Sequence, residues 1–346
     1  MSAPWTGRTA ALAAALGLAL ALAGAACGKP RHEKLRWSIG VATFDATALG
    51  LARTRTPDPF VDAIRPGRLV IPTYDGSNQA THPDVLLERS ETGAAHLTLV
   101  MTPYPFSNDK LENPSLLVSD DGMAFTAPPG VASPLVPPPP YDHNNDPDLR
   151  RDPRTGDYEI LYLEALRPDR QTLVALRSRD RRTWTRRDAV VYDLHRGDPF
   201  IVSPAALDAA GQTHLFYVDT ADRKLYTMVS ADGATWDPRS ATPVAIDLGA
   251  IHAWHVDALR GDGGYALLIS GYADQFEHQD LYLATSPDLV TWTLRPQPLL
   301  DHNDPGLGAG PGAGPGAALG VESLYRSTGV VEHGTLVVWY AMQTRS

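Results

Sequence analysis

The sequence predicts an all-β fold, a five-bladed β-propeller of four-stranded blades whose ring is closed by N-terminal strands. A Ser-x-Asp-x-x-x-aromatic motif recurs along the chain, and short β-like runs accompany each copy. The 29 glycines and 30 prolines among 346 residues suit a chain with many turns.

The motif occurs at Ser119-Asp121-Phe125, Ser178-Asp180-Trp184, Ser230-Asp232-Trp236 and Ser286-Asp288-Trp292. Each copy follows a β-like run, at residues 115–118, 172–177, 224–229 and 281–285, and precedes another. That pattern is a hairpin whose Asp bonds turn amides and whose aromatic packs between units. Two further strands come before each hairpin. The inner ones open at His82-Pro83-Asp84, Asp146-Pro147-Asp148, Ser203-Pro204-Ala205 and His255-Val256-Asp257. The second strands are the apolar runs 96–101, 158–163, 213–218 and 265–270. A fifth inner pair lies at 325–331 and 335–342, and the chain ends before its hairpin. The missing outer strands must come from residues 35–43 and 68–73, which closes the ring without an open edge. Pro137 to Pro140 form a stiff connector, and residues 306–320 read as a flexible surface insertion.

The N-terminus reads as an address. Residues 9–23 are an apolar run of signal-peptide length, too short for a typical spanning helix. It leads into Ala23-Gly24-Ala25-Ala26-Cys27, and Cys27 is the only cysteine. Small residues before a lone Cys resemble a bacterial lipobox, with Gly24 where a Leu is common. A plain secretory signal and an uncleaved anchor stay open as alternatives. The expected organisation is a signal peptide over 1–26, a linker over 27–34 and a propeller over 35–346. The location expected is a bacterial cell envelope, outside the cytoplasm, with a lipid anchor as the only membrane contact. One cysteine excludes a disulfide framework and a Cys-rich zinc site. A net charge of −10 argues against a nucleic-acid backbone as partner.

The run Ala284-Thr285-Ser286-Pro287-Asp288-Leu289 to Trp292, with Asp146-Pro147-Asp148 opening an inner strand, resembles the five-bladed glycoside hydrolases of families 43 and 32. Sialidases share a propeller and an Asp-box, but their box has one more residue before its Trp. The resemblance implies a substrate funnel on the axis. It also implies an Asp base on the first blade, an orienting Asp on the second and a Glu acid on the third. Asp146 stands at the second-blade place. In the first blade His82 holds the equivalent position, with Asp84 two residues on and on the same strand face. In the third blade Ser203 stands where the acid belongs, a departure from the family 43 mechanism.

The aligned first and third inner-strand positions read His82 and Asp84, Asp146 and Asp148, Ser203 and Ala205, His255 and Asp257, Arg326 and Thr328. Charges that converge on an axis must be paired, hydrated or used. The plain alternative is a salt-bridged channel that only holds the blades together. Glycoside hydrolysis needs a proton donor and a second carboxylate. Asp84 and Asp146 are the carboxylates best placed. Glu112, in Leu111-Glu112-Asn113-Pro114, is the candidate acid, with Glu322 second. His82, His255, Asp148, Asp257, Asn113 and Arg326 are candidates for binding substrate hydroxyls, or for orienting a carboxylate. Tyr104, Trp254 and Tyr325 are the aromatics nearest those groups in sequence, and Phe106 and Tyr141 are further loop candidates for stacking on sugars. Trp184, Trp236 and Trp292 read as packing residues. No cofactor is required, although His82, His255, Asp84 and Asp257 could meet at the axis around Ca²⁺ or a transition metal. The expected function is an extracytoplasmic glycan-active protein with carbohydrate as its partner, a glycosidase acting through funnel carboxylates. The alternative is a non-catalytic polysaccharide-binding propeller.

Overall fold

The computed structural model describes residues 35–304, 306–309 and 320–345; the expected signal peptide, linker and Cys27 lie outside the described residues. The chain enters on β1 (Leu35–Asp45), a short helix α1 (Pro59–Ala63) and β2 (Gly67–Arg68). Asp58 caps α1 by accepting from the amides of Phe60 and Val61, and both residues bury their side chains.

Five sheets follow one another around an axis. The first holds β3 (Ala80–Arg89), β4 (Ala95–Pro103) and β5 (Ser115–Ser119). The second holds β6 (Asn144–Arg151), β7 (Tyr158–Leu166), β8 (Arg170–Ser178) and β9 (Thr185–Asp193). The third runs β10 (Ile201–Ala209), β11 (Gln212–Asp219), β12 (Lys224–Ser230) and β13 (Thr242–Pro243). The fourth runs β14 (His252–Arg260), β15 (Tyr265–Tyr272), β16 (Asp280–Ser286) and β17 (Thr293–Leu294). The fifth pairs β18 (Val321–Glu332) and β19 (Thr335–Arg345) with β1 and β2. β1 lies antiparallel on β19, from Leu35 opposite Arg345 to Asp45 opposite Thr335. The ring is closed as the sequence predicts, by N-terminal strands completing the last blade. The fourth strand of the first blade is reduced to one bridge, Val118 to Thr126.

The four repeat turns are built alike. Asp121, Asp180, Asp232 and Asp288 each accept two amides, two and three residues on, at 2.7–2.9 Å. The Ser hydroxyl of each motif donates back to its Asp. The residue three past each Ser has positive φ, filled by Gly122, Arg181, Gly233 and Leu289. Their aromatics seal the gaps between blades: Phe125, Trp236 and Trp292 are buried, and Trp292 meets Phe216 edge-on at 5.7 Å.

Hairpin connectivity puts the starts of the inner strands β3, β6, β10, β14 and β18 at one rim. The ends of the second strands β4, β7, β11, β15 and β19 share it, as the pairs Ala80–Pro103, Asn144–Glu164, Ile201–Asp219 and His252–Tyr272 show. Loops after the second strands and before the inner strands therefore ring the mouth of the axis. Trp292→Ala is expected to destabilise the fold by about 3–5 kcal/mol. A urea titration should show a lower midpoint at unchanged slope, and a shift under about 1 kcal/mol would make this ring peripheral.

Candidate active site

The inner strands start with a shared distortion. Their pairing register slips between Thr81 and Asp84, Asn145 and Asp148, Val202 and Ala205, Ala253 and His255, and Leu324 and Ser327. Such bulges turn a side chain out of the sheet toward the axis. In three of them the turned residue precedes proline and has positive φ: His82 (49°), Asp146 (52°) and Ser203 (58°). Proline has no amide to lose from the ladder, so it suits the unpaired place. Left-handed backbone at a non-glycine residue costs about 1–3 kcal/mol and is retained where the surroundings over-determine it.

Three of the aligned first positions meet. His82 Nε2 lies 3.3 Å from Asp146 Oδ1, and His255 Nδ1 lies 3.5 Å from the same oxygen. All three residues are buried. Asp146 is fixed through its other oxygen, which accepts the Ser203 amide at 2.9 Å. His82 is fixed through Nδ1, 2.8 Å from the Thr102 hydroxyl. Asp146 Oδ1 and both ring nitrogens of His255 have no hydrogen-bond partner. Burial pulls the His82 imidazole down to about 4 and His255 well below its ordinary value. Burial pushes Asp146 up, but nearby His82, His255 and Arg326 outweigh it and hold the carboxyl below its usual range. With both imidazoles neutral at neutral pH, the anion rests on Arg326, 3.8 Å away, and on the Ser203 amide.

Two imidazoles and one carboxylate whose free atoms lie within 4.8 Å of one another fit a transition metal. Neutral His, ionised Asp and outer hydrogen bonds to two of the three ligands are what such a site requires. The donor set is not one that calcium prefers.

Glu112 stands against this group, its Oε2 3.5 Å from His82 Nδ1. Burial, and then the Asp146 charge, push its carboxyl well above the ordinary range. Asn113 accepts Asn144 Nδ2 at 2.8 Å and so ties the Glu112 loop to the second blade. Tyr325 packs its ring 4.1 Å from His255 and 5.4 Å from His82, and its hydroxyl accepts Trp254 Nε1 at 2.9 Å. Tyr104 lies 6.5 Å from His82, with Trp37 between it and Tyr325. Glu322, the second candidate acid, is tied to Arg345 at 2.8 Å in a partly exposed pair.

The aligned third positions form a second, separate cluster of Asp84, Asp148 and Asp257. The structure thus parts Asp84 from the His82–Asp146–His255 group, and the four residues His82, His255, Asp84 and Asp257 do not make one site. Asp84 accepts the Thr328 hydroxyl at 2.7 Å and the amides of Val85 and Leu149. Asp148 accepts the Ala206 amide at 3.1 Å and faces Arg326 at 3.8 Å. Burial pushes all three carboxyls up, Asp257 to about 8, and the neighbouring Asp84 adds to the rise at Asp148 and Asp257. The oxygens of Asp84 and Asp148 hold neighbouring blades, whereas Asp257 Oδ2 has no partner.

Of the site, sequence reasoning missed Thr102, the Ser203 amide and Trp37. The His-Pro, Asp-Pro and Ser-Pro dipeptides at three strand starts were the visible signal of the bulges.

No protein-family model matches the chain. One curated relative, the A type blood N-acetyl-α-D-galactosamine deacetylase of Flavonifractor plautii, is 33% identical over 91 residues. That match spans 24% of this chain and only 12% of the relative. Among solved structures, an N-acetylgalactosamine deacetylase from F. plautii superposes with a TM-score of 0.64 at 20% identity, covering 80% of each chain. A family 130 structure, from work on hydrolases of β-1,2-mannosidic linkages, superposes at 0.51 with 14% identity over 84% of this chain and 94% of that one. A thermostable family 43 glycoside hydrolase also gives 0.51, at 12% identity over 77% of this chain and 89% of that one. These likenesses establish the fold.

Thr328→Val removes the hydroxyl that holds Asp84 and the Val85 amide across the join of the last and first blades. It is expected to cost about 1–3 kcal/mol in a urea titration, because a buried carboxylate loses a donor. A neutral result would mean that the join does not depend on this contact.

Proposed function

We propose that the protein is a glycan-processing hydrolase that removes an N-acetyl group from an amino sugar, using a divalent transition metal held by His82, Asp146 and His255. The observation that carries this reading is the set of three converging ligand atoms, with Asp146 Oδ1 and the His255 nitrogens buried and unpartnered. The deacetylase named among the similar proteins supports it. When bound, such a metal supplies Lewis-acid polarisation of a carbonyl or of water.

The chain's own residues supply the rest. Water oxygen bonds to the acetyl carbon, the carbon–nitrogen bond breaks, and acetate and a free amine result. Glu112, whose carboxyl burial raises well above its ordinary range, is placed to give the departing nitrogen its proton, and the proton released by the water as it adds to carbon restores Glu112. Tyr325 and Trp254 wall the pocket, and their hydroxyl–indole bond sets the orientation of both rings. The Ser203 amide and the Thr102 hydroxyl keep Asp146 and His82 aimed.

Purified protein is expected to carry about one transition-metal ion per chain, and chelation should abolish acetate release from N-acetylated glycans. Asp146→Asn and His255→Ala should lose both metal and activity. Glu112→Gln should keep the metal and slow acetate release by about a hundredfold or more. Full activity after chelation would overturn the metal centre.

A second reading, hydrolysis of a glycosidic bond, is favoured by one observation. The Glu112 carboxyl is raised by burial and the Asp146 carboxyl held low by its neighbours, on either side of His82, a split that suits acid and base roles. Its product is a freed sugar rather than acetate, so analysis of products separates the two reactions.

We further propose that the protein works outside the cytoplasm on a lipid carried by Cys27; the apolar run over residues 9–23 and the small residues before Cys27 support this. Cys27→Ser is expected to move the protein from the membrane to the soluble fraction, or to leave it unprocessed. Unchanged fractionation would remove the anchor.

A further inference from the structure

We propose that Phe276 is a stacking platform for the second sugar of a glycan whose terminal residue occupies the His82–Asp146–His255 pocket. The inference rests on the glycan reading above and deepens it, making the substrate an oligosaccharide rather than a single sugar.

Phe276 lies in the loop between β15 and β16, which belongs to the rim around the axis. It is 39% exposed, and the loop residues beside it, Asp274, Gln275, Glu277 and His278, are exposed and polar. A lone exposed apolar residue is ordinary in a soluble protein. This one is held differently. Its ring meets Trp254 edge-to-face at 4.9 Å and 89°, and Tyr272 in the same way at 5.4 Å and 83°. Two such contacts fix the ring's orientation while leaving it in solvent. Trp254 bonds Tyr325, and Tyr325 lies against His255, so an aromatic path runs from the rim to the pocket. One face of Trp254 is taken by the Arg223 guanidinium, 4.4 Å from its centroid. Phe276 is the exposed member of the path, Trp254, Tyr272 and Tyr325 being half-buried.

The pattern is shared around the mouth. Among the described residues, the exposed aromatics are Phe106, Tyr141 and Phe276, and all three lie on loops of this rim. The other exposed large apolar residues are the valines Val70, Val191, Val229 and Val290. A sugar ring offers C–H bonds to the electron-rich face of an aromatic, and an oriented, solvent-facing ring suits that contact.

The test compares the methyl glycoside of N-acetylgalactosamine with a tetrasaccharide ending in the same sugar. Wild-type protein should favour the tetrasaccharide by about tenfold in kcat/KM, carried by KM. Phe276→Ala should lose that preference and leave the methyl glycoside within about twofold. Phe276→Tyr should restore it, and a urea midpoint within about 1 kcal/mol of wild type excludes misfolding. Calorimetric titration of both sugars into chelated protein measures the same length preference without turnover. A length preference in binding with no acetate release would sink the deacetylase reading and keep the platform. Equal handling of both sugars by wild type, or an unchanged preference in Phe276→Ala, overturns the platform itself.

Discussion

Five inner strands meet at an axis where no backbone ladder joins one blade to the next, so side chains at the strand starts must do the joining. Everything else at the mouth follows from that requirement. Asp84 reaches the Leu149 amide, Asp146 the Ser203 amide, Asp148 the Ala206 amide and Ser203 the Val256 backbone. Ser270 reaches the Tyr325 carbonyl, and Thr328 closes the ring onto Val85 and Asp84. Each residue is polar because it crosses between blades, and buried because the axis is narrow. A fully buried arginine, Arg326, then sits among more carboxylates than it can pair. Excess buried negative charge must be protonated, or met by a cation.

The chain uses both answers, one at each level of the axis. At the third positions burial raises the three carboxyls, and Arg326 beside Asp148 offsets part of that rise. At the first positions Asp146 faces two neutral imidazoles and stays ionised. Bulges take His82 and Asp146 out of the ladder, whereas His255 stays paired opposite Ser270 and meets them from within the strand.

The fold was legible because its signals are local. The Ser-x-Asp turns bond their own amides, the aromatic four residues past the Asp packs against a neighbouring blade, and both can be counted along the chain. The closing strands were legible by subtraction, since a fifth inner pair without a hairpin demands partners from elsewhere. The site was legible only as a pool of residues. His82, Asp146, His255, Arg326 and Glu112 could be named from their alignment, but their sorting into two levels depends on left-handed backbone at His82, Asp146 and Ser203. No periodicity encodes that. Thr102 and Trp37 were invisible for another reason: they act through contacts with residues far off in sequence, from strands that otherwise read as ordinary core.

The serine on the third blade, where family 43 would have its acid, is explained by the same geometry. Ser203 Oγ both donates to and accepts from Val256, and its amide holds Asp146. A glutamate there would break the join between the third and fourth blades and set a further negative charge beside Asp146. The pocket would then need another cation, and the two imidazoles would no longer face a single carboxylate. With serine in place that position joins strands instead. Glu112 reaches the group from elsewhere, arriving on the loop between β4 and β5 and lying 3.5 Å from His82 Nδ1.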